Sequence, residues 1–273
     1  MASAPGLRRE ISARNLKRGA DHDHEATYGS VPSVIYREGS SGGHGNFYPA
    51  AYRRIVAQQD WAKRLEKAYT ASRRVAYSDA RDRRELDCAI SSDALLMNIF
   101  CAPGTCCSVT LCGLLNIERG LLPRFGVRAG TPLRGGYDDR TEADMQLGDL
   151  LVEAKFSEAG FGSARPDLMA RYPDFEDTFD TARLHRHRAD YRHYQLLRGV
   201  LAARHTGCRF ALFCDRRRPD LQTAWLQVLS ATHSAELRSR LLFVTWQEIA
   251  ACLSRALQKF LAEKYGITIA DPA

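Results

Sequence analysis

The feature that most constrains the fold of this chain is EADMQLGDLLVEAKF, at residues 142–156, which predicts two adjacent strands. The stretch EADMQL has the length and alternation of a strand, and DLLVEAKF contains a short apolar run of similar length. Gly148 and Asp149 lie between them and are typical of a tight hairpin turn. The sequence therefore predicts a β-hairpin at the centre of the fold.

Two opposite charges lie within the second predicted strand. Because successive side chains alternate between faces, Glu153 and Lys155 share one face and lie about 6–7 Å apart along the strand. The strand's apolar composition indicates an interior position, where an unpaired charge is costly. Asp144, near the end of the preceding strand, can come close to Glu153. Two converging carboxylates make a hard oxygen site that suits Mg²⁺ or Mn²⁺.

Lys155 is unusual because only six of the 39 basic residues in this chain are lysines. Lysine is a compact charge whose pKa burial can lower, whereas the arginine fork is bulkier and permanently charged. Near a metal, an ammonium group can position a water and stabilise a crowded phosphate. The alternative is a plain salt bridge on a half-exposed sheet, because an acidic residue two positions before a lysine is a common pattern.

The stretch TEADMQLGDLLVEAKF resembles the active-site hairpin of the PD-(D/E)xK nuclease superfamily, which has the restriction-endonuclease-like fold. In that pattern an aspartate ends one strand, and an acidic residue, any residue and a lysine follow on the next. Asp144, Glu153 and Lys155 match these positions, while Ala143 replaces the proline of the nominal motif. The resemblance implies that Asp144, Glu153 and the carbonyl of Ala154 bind the metal, and that Lys155 orients the attacking water.

The resemblance extends beyond the hairpin. The predicted helix–strand order over roughly residues 84–265 is similar to the core of that fold, and SSDALLMNIF resembles the first core helix of bacterial members. These matches imply a Mg²⁺-dependent endonuclease that hydrolyses phosphodiester bonds in DNA, with no organic cofactor. A homodimer is a further expectation, since many relatives of this fold work as dimers.

Supporting residues are also suggested. Glu142 lies two positions before Asp144 and could share its role, and Glu158 could add a carboxylate or be solvated in a loop. In related nucleases the following helix often brings a Gln or Tyr to the site. Tyr191 and Gln195, at i and i+4 of a predicted helix, would fit, although packing or solvent exposure would explain them equally well.

The predicted fold class is α/β, with a restriction-endonuclease-like core of about four to five strands in a mixed sheet flanked by helices. A long basic helix is expected over residues 182–205, and strands over residues 209–215 and 240–245. Thr245 and Glu248 predict a capping box that opens the last helix, which Gly266 ends.

Three regions are predicted. Residues 1–45 are poor in large apolar side chains and rich in Gly and Ser, which indicates a flexible N-terminal arm. Residues 46–83 form an N-terminal helical extension, with an apolar stripe from Tyr52 to Tyr69. Residues 84–273 would form the nuclease domain.

The charge balance favours a polyanionic partner. The formal net charge is +7 and the pI is about 9.1, although an arginine-rich composition can also reflect a GC-rich genome. Phosphate contacts are expected from basic residues of the predicted long helix, namely Arg183, His185, Arg188, Arg192 and His193. A solvated basic face is the simpler alternative.

Two further functional hypotheses remain open from the sequence. The same fold could serve as a non-catalytic DNA- or protein-binding module. Alternatively, the eight cysteines could bind zinc, but they form no CxxC pair, and free, mostly buried thiols fit better. The apolar runs are too short to span a membrane and no secretory signal is evident, so a cytoplasmic location is expected.

Overall fold

A five-stranded mixed sheet forms the centre of the protein. The structure is a computed structural model that describes residues 3–26, 33–40, 42–68 and 84–269. The strands of the central sheet, in chain order, are β1 (Arg124–Arg128), β2 (Glu142–Leu147), β3 (Leu150–Ala154), β4 (Arg209–Cys214) and β5 (Leu241–Thr245). Their order across the sheet is β5-β4-β3-β2-β1. The pairs β5–β4 and β4–β3 are parallel, and β3–β2 and β2–β1 are antiparallel.

Helices cover both faces of this sheet. The longer helices, in chain order, are α1 (Ala4–Gly19), α2 (Pro49–Ala57), α3 (Gln59–Leu65), α4 (Ser92–Phe100), α5 (Val109–Leu115), α6 (Tyr194–Thr206), α7 (Pro219–Ala231), α8 (Ala235–Ser239), α9 (Trp246–Ala251) and α10 (Arg255–Tyr265). The alternating side chains of β4 separate two cores. Ala211 and Phe213 pack in a core with α1, α2, α4, α9 and α10, while Phe210 and Leu212 pack with α6 and α7. The predicted α/β class with a mixed sheet flanked by helices is confirmed.

Short elements connect these layers. Two-stranded hairpins pair His24–Ala26 with Val34–Tyr36 and Pro132–Leu133 with Tyr137–Asp138, and a small three-stranded sheet joins Ser163–Ala164, Asp190–Arg192 and Arg186–His187. Brief helices lie at Pro166–Met169 and Phe175–Thr178, and 3-10 helices at Glu85–Asp87 and Thr105–Cys107.

The central hairpin forms where the sequence predicts it. Leu147 pairs with Leu150 across the turn, and Gly148 has φ of 61°, in the left-handed region that glycine adopts without strain. All five residues of β3 are buried, because the strand has a neighbour on each side and helices on both faces.

The predicted long basic helix is wrong over its first half. Helix α6 begins only at Tyr194, and the residues before it form the hairpin of Arg186–His187 and Asp190–Arg192. Arg188 in the hairpin turn and His193 before the helix both have positive φ, which a continuous helix excludes. The regular spacing of buried apolar residues that stabilises α6 starts after this point.

The described part of the N-terminal region differs from the expected flexible arm. Helix α1 buries Leu7 and Ile11, one helical turn apart, in the main core, and it packs against α10. The side chain of Asn15 donates to the backbone carbonyl of Lys264 at 3.0 Å. Leu7 and Ile11 provide a narrow apolar stripe that is enough to dock an otherwise polar helix.

Other details of the prediction can be compared with the structure. The capping box of Thr245 and Glu248 is confirmed, but a new cap at Ser254 divides the predicted last helix into α9 and α10. Tyr69, at the end of the predicted apolar stripe, lies outside the described residues. The domain boundaries at residues 46 and 84 stay predictions. Among the described residues, no helix combines the length and apolar character needed to cross a bilayer.

Candidate functional site

The candidate site lies where strands β2 and β3 separate. Their pairing runs as far as Met145 and Val152, and the same register would next place Asp144 opposite Glu153. Instead, Oδ2 of Asp144 accepts a hydrogen bond of 2.7 Å from the backbone N–H of Ala154. The N–H and C=O of an extended residue point to the same side of the strand. The carbonyl of Ala154 therefore points toward the opening that the Asp144 carboxylate lines.

Glu153 and Lys155 meet on one face of β3, as the strand alternation predicts. Nζ of Lys155 lies 2.7 Å from Oε1 of Glu153, and the exposed fractions of the two residues are only 6% and 4%. The contact lacks hydrogen-bond geometry, and Oε1 is one of the buried side-chain atoms in the described residues without a hydrogen bond. Oε1 of Glu153 is thus held by the charge of Lys155 alone, and a cation at this site would compete with or share that contact.

The strand end that carries Lys155 is fixed by its backbone. The N–H of Lys155 donates to the carbonyl of Phe213 on β4 at 2.8 Å. Its carbonyl accepts from Nε1 of Trp246 at 2.9 Å. These two contacts hold the lysine at the boundary between the central sheet and α9, so that its side chain remains beside Glu153.

The site is crowded with negative charge. Burial raises the pKa of Asp144 well above its usual value, and the nearby carboxylates of Glu153 and Asp93 raise it further. For Lys155, burial acts to lower the pKa, but Glu153, Glu158 and Asp144 together outweigh burial and raise it. Lys155 is therefore an ammonium ion near neutral pH, and the expectation that burial would lower its pKa is not met.

The donor atoms fit a hard divalent cation. Asp144 and Glu153 supply carboxylate oxygens, Oε1 of Glu153 has no hydrogen bond, and the carbonyl of Ala154 points to the same opening. In the described residues no three His, Cys, Asp or Glu side chains form a metal-binding group. Mg²⁺, however, commonly binds through one or two carboxylates and keeps several waters. These three residues could hold Mg²⁺ or Mn²⁺ in that way.

Glu142 lies beside the site but is engaged elsewhere. Nη1 of Arg64 donates to its carboxylate at 2.8 Å, and Nη2 of the same arginine donates to Asp93 at 3.0 Å. Lys67 also donates to Asp93, at 2.7 Å. Gly126 on β1 leaves room for this arrangement, because a Cβ there would overlap the guanidinium of Arg64. Glu142 is thus neutralised by Arg64 and is less available than Asp144 as a cation ligand.

Arg64 and Asp93 were not identified from the sequence. Arg64 is 78 residues away from Glu142, and no local pattern signals such a distant partner. Asp93 lies within SSDALLMNIF, the segment that resembles the first core helix, and an acidic residue in the first turn of α4 was the available signal. The charge of Asp93 raises the pKa of Asp144, and the charge of Asp144 helps to raise the pKa of Arg64.

Gln195 reaches the site, whereas Tyr191 does not. Gln195 lines a small cleft together with Glu153 and Glu142. Tyr191 lies on the short strand before α6 and packs against Phe175, with ring centroids 5.1 Å apart. The predicted pairing of Tyr191 and Gln195 on one helical face is therefore wrong.

Arg198 is a further residue that the sequence analysis missed. Arg198 lines the same cleft as Gln195, which lies three residues before it on the helix. Nη2 of Arg198 donates to the backbone carbonyl of Glu142 at 3.4 Å. Its guanidinium also lies 3.7 Å from Asp139. The i and i+3 spacing from Gln195 was the signal that could have found it.

Glu158 contributes a third carboxylate near Lys155. Its Oε2 accepts a hydrogen bond of 2.6 Å from the N–H of Phe156, and its charge helps to raise the pKa of Lys155. The loop after β3 thus folds back on the strand end. Glu158 is only partly exposed, so the alternative of a fully solvated loop residue does not hold.

The five basic candidates for nucleic-acid binding lie on or next to the hairpin before α6. Arg183, Arg188 and Arg192 are exposed. His185 and His193 both contact Oε1 of Gln227, at 3.2 Å and 2.8 Å, and burial lowers the pKa of His193. The helical placement of these residues was wrong, and their contact with phosphates stays a prediction.

The cysteines are free thiols. Burial raises the pKa of Cys106 to about 11 and raises the pKa of Cys101 as well, which disfavours the thiolates that zinc requires. Within the described part of the chain, the cysteine cluster provides no metal-binding group.

Comparison with known proteins gives one match. The model of a family described as "Restriction Endonuclease associating with ARP" matches residues 18–266. No curated protein matches the chain, and neither does any solved structure. The matched range includes the central sheet and all the candidate residues of the site.

Proposed function

We propose that this chain, which belongs to the family described as "Restriction Endonuclease associating with ARP", is a metal-dependent endonuclease of the PD-(D/E)xK type that hydrolyses phosphodiester bonds in DNA. The observation that carries this proposal is the convergence of Asp144, Glu153 and Lys155 where β2 and β3 separate. Two carboxylates and an ammonium ion, nearly enclosed by the sheet and its helices, are a costly arrangement without a partner. A bound cation and a phosphate would offset that cost.

The acidic side chains would bind the metal. Asp144, Glu153 and the carbonyl of Ala154 would hold Mg²⁺ or Mn²⁺, which lowers the pKa of a bound water and neutralises charge on the phosphate. Asp144 would keep its hydrogen bond from Ala154 through Oδ2 and use its other oxygen as a ligand. The carboxylate of Glu153, whose Oε1 lies 2.7 Å from Nζ of Lys155, would provide the second ligand.

Lys155 would act as a cation and not as a base. The surrounding carboxylates raise its pKa, so its ammonium group has protons to donate and no lone pair to accept one. It would orient the attacking water or donate to a phosphate oxygen as negative charge develops there. Gln195, in the cleft beside Glu153, would position the same water through its amide.

One observation favours a second candidate function. The direct contact of 2.7 Å between Lys155 and Glu153 balances both charges without any cation. A DNA- or protein-binding module with this fold would need no more than such an internal ion pair. The two functions differ in whether divalent cations change the behaviour of the protein.

A cleavage assay with matched variants tests the proposal. The purified chain is incubated with circular and linear DNA, single- and double-stranded, and with RNA, in Mg²⁺, Mn²⁺ or EDTA. We expect cleavage only with a divalent cation, lost in Glu153→Gln and Lys155→Met. Lys259→Met, which changes an exposed lysine, serves as the control and should cleave like the unmodified protein.

The result also has a clear negative form. Cleavage that survives in both site variants, with melting temperatures close to that of the unmodified chain, would refute the assignment of the site. Nucleic-acid binding without cleavage, unaffected by Mg²⁺, would instead support the binding module.

A further inference from the structure

A groove runs along the outer edge of the central sheet. Strand β1 is the last strand of the sheet, and on its free side it faces α3, which packs against it. Together with the segment before β1, these elements enclose a cleft of about 880 Å³. We call it the edge groove and define it by Lys63, Arg64, Arg124, Phe125, Arg128 and Glu142.

The charges of the edge groove are mostly positive. Lys63, Arg64, Arg124 and Arg128 line it, against the carboxylates of Asp60 and Glu142. Each carboxylate already has a partner in the groove, since Asp60 accepts from Lys63 at 3.0 Å and Glu142 from Arg64 at 2.8 Å.

Two arginines of the groove remain available to a ligand. Nη2 of Arg128 lies 4.0 Å from Oε1 of Glu142, and 63% of the Arg128 side chain is exposed. Arg124 is exposed and makes a long contact of 3.4 Å with Gln146. These loosely held guanidinium groups flank β1 at its two ends, as a run of phosphates along the strand would require.

The edge groove leads to the candidate active site. Glu142 lines both the groove and the small cleft that contains Glu153 and Gln195. Arg64 stands at this junction. Burial acts to lower its pKa, but Asp93, Glu142 and Asp144 together raise it. Its guanidinium donates to Glu142 at 2.8 Å and to Asp93 at 3.0 Å, so Arg64 reduces the negative charge that a phosphate would meet at the junction.

We propose that the phosphodiester backbone of the nucleic-acid substrate lies in the edge groove, held by Arg124 and Arg128, and enters the active site past Arg64. This inference rests on the proposed function and identifies the surface that binds the substrate. The exposed arginines of the hairpin before α6 are the rival surface. That hairpin borders a different cleft, which Arg192 and His193 share with Asp220.

Binding measurements that need no cleavage test the inference. The full chain is titrated into fluorescently labelled DNA and RNA, single- and double-stranded, in EDTA and over a range of salt concentrations. For Arg124→Gln/Arg128→Gln we expect the dissociation constant to rise on the order of tenfold near 0.1 M salt. The slope of log K against log salt should fall by about 2, or about 1 for each phosphate contact removed.

The matched control removes the same charge elsewhere. Arg255→Gln/Lys259→Gln changes two exposed cations on α10 and should leave the dissociation constant and the salt slope unchanged. Thermal melting of each variant checks that the fold is retained. The rival variant, Arg183→Gln/Arg192→Gln, removes two arginines of the hairpin region.

Each outcome separates this inference from the proposed function. The inference is overturned if the groove variant binds with the affinity and salt slope of the unmodified chain, if the hairpin variant alone shows the loss, or if no nucleic acid binds at low salt. If the unmodified chain cleaves DNA while the groove variant binds normally, the enzyme assignment stands and the groove assignment fails. If the groove variant shows the expected loss of binding but no substrate is ever cleaved, the groove assignment stands and the enzyme assignment fails.

Discussion

The carboxylate of Asp144 takes the place of a backbone partner for Ala154, whose N–H it binds at 2.7 Å. The side chain therefore connects the two strands beyond the point where their backbone pairing ends. The resulting opening between the strands is lined with oxygen atoms. Burial raises the pKa of Asp144, and the carboxylates of Glu153 and Asp93 raise it further. A bound cation would relieve the repulsion between these carboxylates.

Replacing Asp144 with asparagine should separate its structural and metal-binding roles. The amide oxygen of Asp144→Asn can still accept from Ala154, and its neutrality removes repulsion with Glu153. We expect a melting temperature without metal equal to or above that of the unmodified chain. The upward shift on adding Mg²⁺ should be lost, and cleavage should fall at least about 100-fold. Thermal melting with and without Mg²⁺ measures this, with Asp167→Asn, which changes an exposed aspartate, as control; an undiminished Mg²⁺ shift would contradict the ligand role.

The positions of Gln195 and Tyr191 predict opposite outcomes for two conservative changes. Gln195→Leu removes an amide from the cleft beside Glu153 and should lower the cleavage rate about 10- to 100-fold without loss of thermal stability. Tyr191→Phe removes only the hydroxyl that accepts from Arg186, far from the chemistry, and should leave the rate unchanged. Single-turnover cleavage rates decide between them. Equal effects from the two changes would mean that the cleft does not hold the reacting phosphate.

The close approach of Arg64 to Gly126 predicts a specific cost for a methyl group. Gly126 and Gly136 have similar positive φ values of 63° and 77°. Among the described residues, a Cβ at Gly136 would meet nothing, whereas a Cβ at Gly126 would overlap the guanidinium of Arg64 and approach Oε2 of Glu142. Gly136→Ala should cost about 1–2 kcal/mol from backbone strain alone, and Gly126→Ala more. In an Arg64→Ala background, most of the additional cost at Gly126 should disappear, because the remaining close neighbour, Oε2 of Glu142, has lost the arginine that holds it. Urea unfolding of the four variants measures this, and equal costs at both glycines would show that Arg64 is not held where the structure has it.

Lys264 predicts a pH-dependent term in stability. It is fully buried, donates to Asn15 at 2.8 Å, and burial lowers its pKa well below the usual 10.5. Between the lowered pKa and 10.5, the unfolded chain binds a proton that the folded chain does not. The free energy of unfolding should therefore rise with pH, by up to about 1.4 kcal/mol per pH unit.

Comparing the unmodified chain with Lys264→Met between pH 7 and 9.5 isolates this contribution from other titrating groups. The slope of unfolding free energy against pH, measured by urea unfolding, should be smaller in the variant. Identical slopes would mean that Lys264 is charged in the folded state, stabilised instead by the rings of Tyr36 and Tyr265, whose centroids lie 4.9 Å and 4.6 Å from Nζ.

Features encoded by neighbouring residues could be predicted from the sequence. The hairpin of β2 and β3, the placement of Glu153 and Lys155 on one face, and the capping box at Thr245 each depend on residues a few positions apart. The α/β class could also be predicted, because it depends on the order of helices and strands that such local patterns indicate. The position of Asp144 near Glu153 was predictable because a short turn joins their strands.

Features that depend on distant partners could not be predicted in this way. The first half of the predicted basic helix has charges on every side, and in the fold it pairs in a small sheet while Tyr191 packs on Phe175. Arg64 reaches Glu142 only because Gly126 leaves space on another strand. The raised pKa of Lys155 depends on three carboxylates, including one in the following loop. In each case the controlling interaction is formed by the folded chain and is not visible in the adjacent residues.

The docking of α1 onto α10 has a consequence for biosynthesis. Leu7 and Asn15 are translated more than 240 residues before groups that cover them, such as Lys264 and Tyr265. Helix α1 of the nascent chain cannot dock until α10 has emerged from the ribosome, so its apolar stripe stays uncovered in the meantime. A ribosome stalled before α10 would therefore present an incomplete core to proteolysis.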